Sequence, residues 1–136
     1  MADISAVKPK DRWVDVKHPG TGEAIGLSWG LMSIDDDRMR AIKRKITDKK
    51  QTLELKGKTF KAEEIEQNLT EMVFRASIGW KWGLDADGDK ATFHGEQPEF
   101  DRAAVFAVLT ELSWVEDFLA AEISSTKDFF GNSKAT

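Results

Sequence analysis

The sequence predicts an α+β domain: an N-terminal β-hairpin-like unit with a short additional strand, packed with about four helices. Three observations carry this reading. Val14 and Val16 alternate with Asp15 and Lys17, the period of a half-buried strand, and an extended run resumes from Ala24 to about Met32. Between them lies His18-Pro19-Gly20-Thr21-Gly22-Glu23, where Pro19 fixes φ and lacks an amide donor while the glycines admit positive φ. Ile65, Leu69, Met72, Val73 and Ala76 then recur at helical spacing, the clearest amphipathic pattern in the chain.

The elements follow in order. Residues 1–11 read as a polar, flexible lead-in to a single domain over 12–130. Gly26 and Gly30 inside the second extended run predict bulges or close backbone approach. Ser33 to Asp37 reads as a helix start, with Ser33 or Asp35 as the cap and acids at the positive helix end. That helix runs to about Lys50 with Met39, Ile42 and Ile46 on one side. Gln51 to Phe60 reads as a polar link in which Leu53 and Leu55 mark a brief extended piece. The second helix spans Ala62 to Ile78, with Gly79 as its C′ residue. Trp80-Lys81-Trp82 reads as extended, which puts both indoles on one side. A turn at Asp85–Asp89 and a short strand at Ala91–His94 follow. Pro98 opens a third helix bearing Val105, Phe106, Val108, Leu109 and Leu112. Ser113-Trp114-Val115-Glu116 matches a capping box for a fourth, whose face is Val115, Phe118, Leu119 and Ile123. Residues 131–136 form a polar tail.

At 136 residues the chain is long enough to bury a core without staples. It has no cysteine, which excludes disulfides and thiolate metal sites. No apolar run reaches the roughly 18 residues of a membrane span, and the N-terminus lacks the apolar centre of a signal peptide. The expected location is the cytoplasm. The net charge of −4 conceals an asymmetry: residues 38–61 carry ten bases against two acids, and the segments on both sides are acidic.

The search for chemistry finds no nucleophile–base pair, phosphate loop or zinc motif, and no cofactor is expected. Asp85, Asp87 and Asp89 match part of a calcium loop, but Gly88 falls at the wrong position and a plain turn is the expectation. Asp35, Asp36 and Asp37 diverge by about 100° each on a helix and do not converge on an ion. His18 and His94 read as structural. The basic run Arg38 to Lys50 is the best case for nucleic acid, but the acidic chain around it favours a solvated face or an acidic protein partner. Arg40, Lys43 and Arg44 in that run are candidate partner contacts. Five tryptophans predict a large aromatic core, with Trp80 and Trp82 as candidate anchors. Phe129 and Phe130 either lock the C-terminus onto the core or form a sticky segment for a partner.

Set in order, the landmarks are Val14-x-Val16-x-His18-Pro19-x-Thr21-Gly22-Glu23-x-Ile25-Gly26-Leu27, a basic helix after an Asp-rich start, and Gly57-Lys58-x-Phe60-x-Ala62-Glu63-Glu64-Ile65-Glu66 leading into a helix that ends at Gly79-Trp80. Pro98-x-Phe100, Trp114-Val115 and Phe129-Phe130 complete the series. This order resembles the tail assembly chaperones of long-tailed, non-contractile bacteriophages and prophages, over roughly residues 12–130. It departs at Lys61, where a capping Thr or Ser would be expected. The resemblance implies a non-enzymatic protein of the host cytoplasm that binds the long helical tape measure protein and keeps it soluble. It also implies recruitment of tail tube protein, through a frameshifted longer form, and absence from the mature virion. The uneven charge adds an expectation of weak self-association, the basic segment of one copy facing the acidic C-terminal part of the next. A nucleic-acid-binding regulator and a structural tail component are the alternatives.

Overall fold

A computed structural model describes residues 3–59 and 61–130. Phe60 and the expected polar tail at 131–136 lie outside the described residues. Strands β1 (Arg12–Lys17), β2 (Ala24–Leu31) and β3 (Ser77–Trp82) form an antiparallel sheet in that order. Five helices complete the α+β fold: α1 (Arg40–Leu55), α2 (Ala62–Ala76), α3 (Arg102–Glu111), α4 (Ser113–Ile123) and α5 (Thr126–Phe130).

The β1–β2 turn is built by His18. Its Nδ1 accepts the N–H groups of Gly20 (2.9 Å) and Thr21 (3.1 Å), as an Asx side chain does in tighter turns. Val14 and Val16 then face inward. Pairing runs from Arg12↔Leu31 to Asp15↔Ser28 and resumes at Lys17↔Ala24, so Val16 opposes three residues of β2. Gly26 sits in this bulge at φ +90°. A Cβ there would lie 2.7 Å from Ala91 Cβ and 2.9 Å from the Leu84 carbonyl carbon. The bulge admits a second layer: the N–H of Gly83 donates to the Gly26 carbonyl at 2.7 Å.

One hydrophobic core joins the inner sheet face to the helices. Val14, Val16, Leu27, Trp29, Leu31 and Trp80 from the sheet meet Val73 and Ala76 of α2, Val105, Val108 and Leu109 of α3, and Val115, Leu119 and Ile123 of α4. Met39 and Phe129 close it. Trp80 packs edge-on against Trp29 (5.1 Å between centroids) and Trp82 (5.4 Å).

Several elements differ from the sequence expectation. The lead-in contains a 3-10 turn at Ile4–Ala6 capped by Asp3, and the Lys10 N–H donates to the Phe129 carbonyl. Asp36, rather than Ser33 or Asp35, caps a 3-10 turn at Asp37–Met39 that feeds α1. The expected extended piece at Leu53–Leu55 is helical. α1 ends instead in a Schellman closure: Lys58 N–H donates to the Leu53 carbonyl (2.7 Å) and Gly57 N–H to the Glu54 carbonyl (3.0 Å), with Gly57 at φ +71°. Gly79 is not a helix cap. α2 stops at Ala76, and Gly79 lies inside β3 opposite Gly30. The additional strand is therefore Ser77–Trp82, while Ala91–His94 forms no strand. Phe93 and Glu96 pair across His94 and Gly95, both at positive φ, as a two-residue primed hairpin turn requires. α3 begins at Arg102, where Asp101 accepts the Ala104 N–H, not at Pro98. The capping box at Ser113 does not form. Glu116 turns inward and accepts the Thr70 hydroxyl at 2.6 Å.

Candidate interaction surface

α1 is a 16-residue helix that buries none of its residues. Ile42, Ile46 and Leu53 are half-buried along one side. A shallow groove of about 480 Å³ runs beside them, between α1 and the α2–α3 pair, lined by Ile42, Ile46, Gln67, Glu71 and Phe106 among others. Lys49 reaches across to Glu64 at 3.1 Å and ties α1 to α2. The Arg102 guanidinium lies 4.4 Å from the Phe106 ring centroid and makes two parallel contacts to Glu71, at 2.7 and 3.0 Å. Those contacts hold the Glu71 carboxyl below its ordinary range, with Arg75 adding to the same effect.

The candidate contacts Arg40, Lys43 and Arg44 come together. All three are exposed, and the spacing i, i+3, i+4 gathers them on one outward face of α1, away from the isoleucines. Arg40 pairs with Asp37 at 2.8 Å. Lys43 and Arg44 have no acidic partner among the described residues. At the far end of the helix, Leu55 is 89 % exposed, so the face finishes on an uncovered apolar side chain.

The aromatic candidates are placed elsewhere. Trp80 is buried, and its indole N–H donates to the Pro98 carbonyl at 3.0 Å. Trp82 is half-buried beside it. Phe129 is buried under Arg12, whose guanidinium lies 5.3 Å from its centroid, and Phe130 packs half-buried against the core. Of the two readings for this pair, the core lock describes Phe129. Both Trp80 and Phe129 belong to the hydrophobic core.

Two surfaces escaped the sequence reading. Trp13, 46 % exposed, lies over Gly30 and Gly79 on the outer sheet face, with Lys81 Nζ 4.5 Å from its ring. Strand parity was the signal, since Trp13 must oppose Val14 and Val16. The other is a groove of about 540 Å³ between α2, α3 and α4, lined by Glu63, Glu66, Thr70, Phe106, Glu116 and Asp117 among others. Its acids come from separate helices, so no local run announces it.

The remaining polar clusters are accounted for locally. Asp85 Oδ1 accepts the N–H groups of Asp87 and Asp89, each at 2.9 Å, so its carboxylate serves the turn. Among the described residues no group of His, Cys, Asp and Glu is placed to hold a metal, and no helix is long and apolar enough to cross a membrane. Searches against protein-family models, curated proteins and solved structures each return no match.

Proposed function

We propose that this chain is a phage tail assembly chaperone. It binds the tape measure protein in the bacterial cytoplasm, keeps it soluble, helps recruit tube protein and leaves before the virion is complete. The landmarks from His18 to Leu27 and at Gly79-Trp80 support the family resemblance. The observation that carries the reading is α1: a long basic helix with no buried residue, beside an open groove. Holding a long helical client calls for many modest contacts along exposed amphipathic surface, not for an enclosed pocket. The role is non-enzymatic.

Co-expression with a tape measure protein tests the reading. Soluble co-purification supports it, and a tape measure protein that stays insoluble or elutes alone opposes it. A nucleic-acid-binding regulator rests on the same basic helix, so a gel shift on duplex DNA across a salt series separates the two. Mass spectrometry of purified virions separates the chaperone from a structural tail component.

A further inference from the structure

On the chaperone reading, on which this rests, we infer that the outward face of α1 selects its client by carboxylates. It docks along a client helix whose Glu or Asp side chains recur at i, i+3 or i+4, and i+7. α1 keeps its charges apart from its apolar residues. At about 100° per residue, Arg40, Lys43, Arg44, Thr47 and Lys50 share an arc of about 120°, and all five are exposed. Ile42, Ile46 and Leu53 lie on the opposite side, half-buried. Between Arg40 and Lys50 the outward arc holds no apolar side chain. Arg40 pairs with Asp37, whereas Lys43, Arg44 and Lys50 have no acidic partner among the described residues.

Such a face gains little from an apolar client surface. It offers a row of cations about 15 Å long, spread over about three turns. Carboxylates on one side of a second helix repeat at the same pitch, because residues three and four apart are neighbours. Laid side by side, the two helices bring cations opposite carboxylates without distortion of either. Exposed pairs of this kind are weak and screened by salt, which suits a holder that must later release its client.

The row is also bounded. Exposed Asp37 precedes it and exposed Glu54 follows it. The phosphate backbone of a nucleic acid is negative along its whole length and would meet both acids. An acidic stripe confined to about three turns of a protein helix meets only the cations.

Fluorescence anisotropy on the full chain tests the inference, with labelled alanine-rich peptides of about 20 residues, long enough to be helical alone. One carries glutamates along one side, a second has the same composition with its glutamates spread around the helix, and a third carries lysines along one side. The striped glutamate peptide is expected to bind about tenfold more tightly than the spread one, and about tenfold more weakly in 1 M than in 0.1 M salt. K43E/R44E, folded by circular dichroism, is expected to lose the glutamate peptide and to gain the lysine peptide. Equal binding of striped and spread peptides overturns the inference, as does binding indifferent to salt, or duplex DNA binding more tightly than the striped peptide at equal salt. Added to a co-purified complex, the striped peptide is expected to displace the tape measure protein. A tape measure protein that co-elutes and is not displaced overturns the inference and leaves the chaperone reading standing. One that never co-elutes, although the striped peptide binds, counts against the chaperone reading alone.

Discussion

The indole N–H of Trp29 donates to the Ser77 hydroxyl at 2.8 Å, and that hydroxyl donates in turn to the Val73 carbonyl at 2.7 Å. Ser77 is the residue at which α2 becomes β3. One hydroxyl therefore serves a carbonyl left over at the helix end and the buried polar group of the central strand's tryptophan. Ser77→Ala leaves the indole N–H of the fully buried Trp29 without a partner, a loss of about 1–3 kcal/mol. Denaturant unfolding should show a lower midpoint with an unchanged m-value. Ser77→Thr, which keeps the hydroxyl, should recover part of the loss.

Gly26→Ala should cost about 1–3 kcal/mol, because it strains a left-handed residue and forces a Cβ into packed neighbours. Two of the three close atoms are backbone, at Leu84 and Asp85, and cannot swing aside. Ala91→Gly removes only the third, so the double variant should remain well below wild type in melting temperature. Melting as high as wild type would show that the bulge can relax.

Phe129→Ala should cost about 3–5 kcal/mol, the usual loss for a buried phenylalanine. Phe129 is 3 % exposed, and its neighbour Arg12 pairs with Glu122 at 2.6 Å. Hydrogen exchange should speed up in both α5 and the start of β1, since the Lys10 N–H is bound to the Phe129 carbonyl. Exchange altered in α5 alone would mean that the C-terminal lock does not reach the sheet.

Acid should weaken the α2–α3 junction. Arg102 holds the Glu71 carboxyl below its ordinary value of 4.5, so the unfolded chain takes up that proton first. The contribution is complete above about pH 4.5 and is lost as pH falls through the lower folded value. Glu71→Gln should lower stability at pH 7 by less than about 1 kcal/mol and flatten the decline in stability below pH 4.5. Stability-against-pH curves of the two proteins that run parallel would contradict this.

Much of the fold is legible where one residue type has one local use. The His18–Glu23 turn, the bulge at Gly26 and the shared side of Trp80 and Trp82 follow from φ limits and strand parity. Glycine misleads where two uses compete. Gly79 looks like a helix stop after an amphipathic run, yet it lies in a strand with the Trp13 ring against it, and Ser77 ends the helix. Gly57 is the actual helix stop, hidden because Leu53 and Leu55 also fit a strand's period. Glu116 fits a capping box, but Thr70 of α2, 46 residues away, offers it a buried hydroxyl. The basic face of α1 is local and was readable. The groove of Glu63, Glu66, Glu116 and Asp117 exists only once three helices pack, so spacing along the chain could not show it.

We propose that the chain keeps a tape measure protein in solution through the face of α1. This is tested most directly by co-expressing the two and measuring the soluble fraction of the tape measure protein. Wild type should hold that protein in solution and co-elute with it, while R40E/K43E/R44E, folded by circular dichroism, should lose both effects. A tape measure protein equally insoluble with wild type, with the variant and alone would contradict the account.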